Sequence, residues 1–265
     1  MPALFDLSWF VMTDTISNSP SQPEVVAGQR PLERNLLEKW VQAPHLEPAA
    51  VGQYRSLFTS HTARALVIKN LLVPAVADRL SRFLAKEAEF APEYGLYSRE
   101  GAVNEEAWMA GQEHDRFFRL HRLVRTPTQF QMSPNALTYL QFRKAFQHLE
   151  FKAFFEAITG LPLGWSDDFG AHSMGNGDFL RPHSDANRDR RVALVIYLTP
   201  GWRPEWGGTL HIVDTGRRVM EVTPEFNSMV VFDVLGAPEH YVAPIELPAG
   251  APPRLTIGGW YHNAR

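Results

Sequence analysis

The chain has 265 residues, of which 45% are hydrophobic, and its 26 lysines and arginines against 29 acids give a formal net charge of −3. That balance argues against a nucleic acid or an anionic membrane surface as the main partner. The absence of cysteine excludes disulfides, zinc–thiolate sites, iron–sulfur clusters and thiol nucleophiles. A chain of this length can bury one large core, so we expect one compact unit rather than two independent domains.

The first thirty residues are predicted to lie outside that unit. The segment Met1–Val11 is apolar but short, contains Asp6 and has no basic leading portion, which argues against a signal peptide or a membrane span. A cytoplasmic location is therefore the default expectation. The Ser- and Pro-rich stretch that follows from Met12 predicts a disordered tail over residues 1–30. Translation could start at Met12 as well as at Met1.

Helical and strand-like patterns alternate over the next hundred residues. Helices are predicted over Leu32–Val41, Ala49–Phe58 and Pro74–Glu87, with a strand-like run at Ala65–Leu72. Residues 91–130 are rich in aromatic residues and arginine. Two interpretations stay open for them: helix surface with buried aromatics, or a lid over a small polar ligand.

A pair of helices is predicted to follow from Ser133, which can cap a helix that has proline at its first position. Further along, a stripe of apolar residues at helical spacing predicts a helix that packs on the far side of a sheet from the functional site, and Gly160 can end that helix in a left-handed conformation. The stripe consists of Phe151, Phe154, Phe155 and Ile158.

The most informative stretch is centred on His183 and Asp185. Side chains two residues apart on an extended segment project to the same side, so this imidazole and carboxylate can bind one metal ion. A third ligand, His240, would complete the two-histidine, one-carboxylate set that leaves three positions of Fe(II) open. The His-x-Asp pattern alone is weak, because a surface turn with a solvated acid has the same sequence.

The pattern of strands supports the metal interpretation. Apolar runs separated by turn signals follow Asp185, and four of them precede the strand of His240. In an eight-stranded jelly roll, or double-stranded β-helix, this separation brings the two ligand strands together. We therefore predict an α+β fold with a double-stranded β-helix core and supporting N-terminal helices. The predicted strands are Val192–Leu198, Thr209–Val213, Val219–Val222, Met229–Val234, His240–Val242 and Arg254–Tyr261.

These segments occur in the order and spacing of a known family. The sequence resembles the Fe(II)/2-oxoglutarate-dependent dioxygenases, prolyl 4-hydroxylase-like branch, in the segments 177–185, 195–198, 202–210 and 254–262 and at His240. The resemblance implies that His183, Asp185 and His240 bind iron and that Arg254 pairs with the distal carboxylate of 2-oxoglutarate. It also implies a single catalytic domain over residues 31–265, with helical support over about 31–160 and a barrel core over about 165–265.

The resemblance implies hydroxylation of an unactivated C–H bond of an amino-acid-type substrate, with release of succinate and CO2. Fe(II), 2-oxoglutarate and O2 would be required, with ascorbate as a reductant in vitro. A peptidyl-prolyl hydroxylase is the alternative, and a cupin-like metal enzyme or a non-catalytic binding barrel is more remote. The expected partner is a small molecule or a short peptide, with no nucleic acid and no membrane.

Many relatives have a tyrosine where this chain has Met174, so Tyr197 is expected to contact the cosubstrate carboxylate instead. Leu210 and Trp260 are also expected to line the cosubstrate site. Arginines that could bind a substrate carboxylate occur in the aromatic stretch and just after the metal motif, and two histidines on predicted strands could point inward. The candidate substrate contacts are Arg116, Arg119, Arg122, His172, His211, Arg188 and Trp202.

Overall fold

The computed structural model describes residues 34–124, 133–166, 169–186, 189–237 and 239–264. The predicted tail, Arg125 and Arg188 lie outside these residues. The helices are α1 (Arg34–Leu37), α2 (Ala43–Leu46), α3 (Pro48–Ser60), α4 (Pro74–Lys86), α5 (Glu105–Ala110), α6 (Pro134–Phe146) and α7 (Leu149–Thr159). The strands are β1 (Ala65–Ile68), β2 (Phe90–Leu96), β3 (Ala102–Val103), β4 (Arg116–Leu123), β5 (Phe169–Met174), β6 (Phe179–His183), β7 (Arg190–Tyr197), β8 (Leu210–Val213), β9 (Val219–Val222), β10 (Ser228–Asp233), β11 (Glu239–Val242) and β12 (Arg254–His262).

The strands form a double-stranded β-helix. Antiparallel pairing gives the order β1-β10-β7-β12-β5-β4-β6-β11-β8-β9, so β10, β7, β12 and β5 make one layer and β6, β11, β8 and β9 the other. Strand β4 joins the layers by pairing with both β5 and β6. The predicted jelly-roll core is confirmed, including the four strands that separate β6 from β11.

Two apolar cores lie on opposite faces of the larger layer, because side chains alternate along each strand. On the outer face of β12, Leu255, Ile257 and Tyr261 pack against helices α3, α4, α6 and α7. Phe146 of α6 stacks on Phe169 at a ring-centroid distance of 4.0 Å. The phenylalanine stripe of α7 belongs to the same core. Its predicted position, on the face turned away from Arg254, is confirmed.

Several local predictions are confirmed at the helix ends. Ser133 accepts a hydrogen bond from the backbone N–H of Ala136 and caps α6. Gly160 ends α7 in the left-handed conformation, with φ 72°. The second and third predicted helices correspond to α3 and α4. No helix in the described part of the chain is long and apolar enough to cross a membrane.

Three local predictions are wrong. Residues 91–123 are mainly strand and only partly helix: β2 and β4 pair over most of their length, α5 is the one α-helix among these residues, and the half-buried positions on both faces of β4 give no clear period along the sequence. The predicted helix at Leu32–Val41 is reduced to α1, because Val41 pairs with Leu72 in a β-bridge. Strand β1 ends at Ile68, since Asn70 takes a positive φ of 52°. The segments before the barrel core, expected to be helical, are therefore partly β-sheet and partly α-helix.

Candidate metal and cosubstrate site

Three metal-ligand side chains meet at one end of the barrel. Strands β6 and β11 are neighbours, and His240 is the cross-strand partner of His183. Asp185 follows two residues later, with one carboxylate oxygen 3.7 Å from His183 Nε2 and the other 3.3 Å from His240 Nε2. One ligand atom from each residue can be chosen so that all three lie within 4.8 Å of one another. Among the described residues, these three side chains form the group of potential metal ligands that could hold an ion.

Two neighbours hold the Asp185 carboxylate. Trp260 Nε1 donates a hydrogen bond to Asp185 Oδ2 at 2.7 Å, and an Arg190 guanidinium nitrogen lies 3.1 Å from Oδ1. The guanidinium also stacks on the indole, with its central carbon 3.5 Å from the ring centroid. Burial by itself would raise the pKa of Asp185, but interactions with His240, His183 and Trp260 outweigh it and lower the pKa to about 2. The carboxylate is therefore charged at neutral pH.

The His183 imidazole is held in a form that can bind a metal. Its Nδ1 lies 3.0 Å from the backbone carbonyl oxygen of Arg181, which leaves Nε2 facing Asp185. Burial, followed by the neighbouring His240, lowers the pKa of His183 to about 4. The ring of Phe117 packs edge-on against this imidazole, with centroids 5.2 Å apart. A neutral imidazole with an outer hydrogen bond is typical of a metal ligand.

Arg254 is a buried cation on the face of β12 that points into the barrel. Only 4% of its surface is exposed, and burial lowers the pKa of its guanidinium. Within the described residues it has no acidic partner; one nitrogen lies 3.5 Å from the sulfur of Met174, and Nε has no hydrogen-bond partner. A buried charge without a counter-ion is costly, so this environment indicates that an anion binds there.

Tyr197 lies beside this cation and has an unsatisfied hydroxyl. The Arg254 guanidinium carbon lies 5.0 Å from the Tyr197 ring centroid, and the buried hydroxyl has no hydrogen-bond partner in the described part of the chain. Burial raises the pKa of Tyr197, with the guanidinium opposing the shift. Met174, which replaces the usual tyrosine of relatives, is the cross-strand partner of Arg254. Leu210 packs in the same apolar cluster.

A glycine turn supports the arginine from the other side. Gly207 adopts φ 70° and ψ −146°, a conformation open essentially to glycine alone. A Cβ on Gly208 would lie 3.1 Å from Arg254 Cδ and from the Trp202 ring. Trp202 in turn donates a hydrogen bond from Nε1 to the Gly207 carbonyl at 3.1 Å. Trp202 therefore lies near Arg254, at the cosubstrate end of the site.

Only some of the other predicted site residues lie near the metal ligands or Arg254. His172 and Arg122 are cross-strand partners that line a cavity close to Asp185. Trp260 is at the metal end of the interior and not beside Arg254. His211 lies on the opposite face of β8 from Leu210 and stacks on Tyr241, with centroids 4.4 Å apart.

Arg116 and Arg119 have structural contacts. Arg116 stacks on Trp108, with its guanidinium carbon 4.5 Å from the ring centroid, and donates to a backbone carbonyl. Arg119 pairs with the buried Asp178 at 2.7 Å, just before β6. Neither lines the cavity close to Asp185. Both arginines are therefore held by their own neighbours, and the expectation that they bind substrate has no support in their positions.

Sequence reasoning missed two residues near the metal ligands. Arg190 was seen only as one of several arginines after the motif, although it contacts Asp185. Arg143 of α6 was not considered, yet it lines the same cavity. Position in sequence could not identify Arg143, because it lies 40 residues before His183 and reaches the cavity only through packing of α6.

Comparisons with known proteins agree with this geometry. Residues 169–262 match the model of the 2OG-Fe(II) oxygenase superfamily. The chain is 30% identical over 120 residues to mouse prolyl 3-hydroxylase OGFOD1, covering 43% of this chain and 22% of that protein. It is 34% identical over 99 residues to the Drosophila melanogaster prolyl 3-hydroxylase sudestada1, covering 33% and 18%. The chain thus spans about a fifth of the length of these relatives.

Solved structures show the same fold. A Pseudomonas putida prolyl-4-hydroxylase aligns with a TM-score of 0.51 and 21% identity, covering 81% of this chain and 100% of that one. A Trichoplax adhaerens prolyl hydroxylase, solved with a peptide fragment of hypoxia inducible factor, aligns with a TM-score of 0.54 and 17% identity, covering 82% and 94%. The triad and the buried arginine both lie within the matched residues, so this part of the chain is similar to the 2OG-Fe(II) oxygenase superfamily, and its fold is shared with prolyl hydroxylases.

Proposed function

We propose that this protein is an Fe(II)- and 2-oxoglutarate-dependent oxygenase that hydroxylates an unactivated C–H bond of an amino-acid-type substrate. The observation that carries the proposal is the buried Arg254, which has no acidic partner among the described residues and lies on the same barrel interior as the metal-ligand triad. A binding barrel or a cupin-like enzyme without a cosubstrate would leave this cation uncompensated.

The triad fits Fe(II). Two imidazoles and one carboxylate on one side of an ion are the donor set of non-heme iron oxygenases, and they leave three positions open. With metal–ligand bonds of about 2 Å, two donor atoms on one ion lie no more than about 4 Å apart. The separations are close to this limit, since each histidine Nε2 has a different Asp185 oxygen at 3.7 or 3.3 Å and one donor atom from each residue lies within 4.8 Å of the others.

The arginine fits 2-oxoglutarate. A guanidinium can bind a carboxylate through two parallel hydrogen bonds, and the unsatisfied Arg254 Nε supplies one donor. The Tyr197 hydroxyl beside it can donate another. An anion bound here would remove both unsatisfied polar groups. Apolar neighbours such as Leu210 and Val242 exclude water around the pair.

When bound, Fe(II) and 2-oxoglutarate together supply the oxygen chemistry that converts C–H to C–OH and releases succinate and CO2. The residues of the chain place these groups. Trp260 and Arg190 orient the Asp185 carboxylate, and the Arg181 carbonyl orients His183. Arg254 would hold the distal carboxylate of the cosubstrate.

A peptidyl-prolyl hydroxylase is the second candidate. It is favoured by the printed names of the relatives, which are prolyl 3-hydroxylases and a prolyl hydroxylase solved with a peptide. Both candidates share the same site and cosubstrate. They differ in whether the reacting carbon belongs to a free amino acid or to a residue within a peptide.

The test is succinate formation in the presence of Fe(II), ascorbate and 2-oxoglutarate. Wild-type protein should convert 2-oxoglutarate, with stimulation by members of a panel of free amino acids or proline-containing peptides. Asp185→Ala should abolish the conversion, whereas Asp189→Ala, a change of the same type outside the triad, should retain it. Conversion that survives Asp185→Ala would overturn the proposal.

A further inference from the structure

A cavity of about 390 Å³ is lined by Trp260 and Arg190, the two residues that contact Asp185. It lies between β4, β5, β12 and helix α6. Gly170 and Gly258 are cross-strand partners that leave one wall without side chains, and a Cβ at Gly170 would meet no atom within 4 Å. Trp260, whose indole holds Asp185, lines the same space. Its volume suits a group the size of an amino acid.

The charge at this cavity is positive. Arg143 enters from α6, is half-buried, and has no acidic partner among the described residues; its Nε is buried without a hydrogen bond. Arg122 lies at the rim, where it pairs with Glu93 at 2.5 Å and is largely exposed. Burial, then Arg122 and Arg254, lowers the pKa of His172 to about 4, so this imidazole is neutral at pH 7 and can donate or accept a hydrogen bond.

We propose that this cavity binds the substrate and that Arg143 recognises a carboxylate on it. The inference rests on the proposed function, because it assigns the substrate of that same site. Arg143 is a half-buried guanidinium without a counter-ion, and a carboxylate would pair with it bidentately. Two sources supply this chemistry: the α-carboxylate of a free amino acid, or an acidic side chain beside the reacting residue of a peptide.

The experiment compares acids with their amides. Fe(II)-loaded full-length protein, kept anaerobic and saturated with 2-oxoglutarate so that Arg254 is occupied, is titrated calorimetrically with free amino acids and their carboxamides. A second set consists of proline peptides with Glu or Gln next to proline. Wild-type protein should bind the acid of at least one pair tenfold or more tightly than its amide, and the set to which that pair belongs identifies the source.

Substitution of Arg143 should remove this preference. Arg143→Gln should weaken binding of the acid by about tenfold to a hundredfold and leave the amide unchanged, since a charge-assisted hydrogen bond is lost. Arg143→Lys should restore part of the preference. Lys144→Gln, the loss of an exposed cation at the next position of α6, is the matched control and should have no effect.

A second variant keeps the test decisive if Arg143→Gln does not fold. Gly170→Val places a side chain into the open space and should block the acid while 2-oxoglutarate still binds. The inference is overturned if no acid is preferred over its amide, if neither member of any pair binds, or if Arg143→Gln retains the preference. Failure of wild-type protein to bind 2-oxoglutarate would instead overturn the proposed function, so the two failures are distinguishable.

Discussion

Arg254 and Tyr197 show how single residues indicate a ligand. A guanidinium and a phenol, both buried, lie together without satisfying each other or finding a partner among the described residues. Buried polar groups are nearly always hydrogen-bonded, and the exceptions cluster where a ligand binds. The neighbouring side chains are apolar, so Arg254 and Tyr197 form the polar end of a largely apolar barrel interior.

Loss of the guanidinium should weaken 2-oxoglutarate binding. We expect Arg254→Gln to raise the dissociation constant by about tenfold to several hundredfold, because a buried charge-assisted pair is removed. Tyr197→Phe should have a smaller effect, since the phenol is neutral. Fe(II) affinity should stay unchanged in both variants, which calorimetric titration can check. Normal 2-oxoglutarate binding by Arg254→Gln would show that the anion binds elsewhere.

His172 should make stability depend on pH. Its pKa is lowered to about 4 from 6.5, so between pH 6.5 and 4 the unfolded chain takes up a proton that the folded chain does not. The free energy of unfolding should therefore fall as the pH decreases through this window, with His172 contributing roughly 2 kcal/mol of the fall. In His172→Gln this contribution should vanish. Denaturant titrations at several pH values test it, and equal slopes for both proteins would refute it.

The His183–Asp185 pair could be predicted from sequence because its short spacing fixes its geometry, whereas the role of Arg254 is what the family resemblance implies. His183 and Asp185 are two positions apart on an extended segment, so strand alternation places both on one side. Contacts that depend on packing could not be predicted. Arg119 appeared to be a free cation in an arginine-rich stretch, but it pairs with Asp178, which lies fifty-nine residues later in the chain.

Among the elements, the turn after the short helical segment Pro204–Trp206 combines two constraints. Gly207 has a positive φ, and a Cβ there would lie 2.1 Å from the Pro244 carbonyl oxygen. The next residue, Gly208, lies against Arg254. This turn therefore links the backbone between β7 and β8 to the cosubstrate end of the barrel.

Substitution of Gly207 should affect both stability and the site. We expect Gly207→Ala to lower the free energy of unfolding by roughly 1 to 3 kcal/mol and to weaken 2-oxoglutarate binding. Gly250→Ala is the matched control, since Gly250 also has a positive φ of 81° but open space around it. The control should cost less than Gly207→Ala, about 1 to 2 kcal/mol, because it has the conformational cost without the clash. Equal losses of stability in the two variants would mean that the clash with Pro244 is relieved without cost.

Elements after the metal motif were predictable because their strands are apolar and separated by clear turns. Each predicted strand from Val192 onward has a counterpart, with bounds shifted by at most two residues. Strands β2 and β4 were missed because burial does not alternate along them: β4 is half-buried on both faces, and β2 changes from exposed at its start to buried at its end. Their conformation is set by pairing with each other and with β5 and β6.

At the scale of the whole molecule, the jelly roll explains why distant residues form one site. Helices cover the outer face of the larger layer, which leaves the inner face to supply Arg254 at one end and Trp260 at the other. The ligand strands β6 and β11 meet in the second layer. This arrangement implies that metal and cosubstrate bind together inside the barrel.

The most direct test is an anaerobic titration of 2-oxoglutarate into the Fe(II)-loaded protein, followed by the visible absorption that appears when a 2-oxo acid chelates iron. We predict a signal that saturates at one 2-oxoglutarate per chain, is absent in Asp185→Ala, and needs higher concentrations in Arg254→Gln. No absorption in the wild-type protein, or an equal signal in Asp185→Ala, would contradict the account.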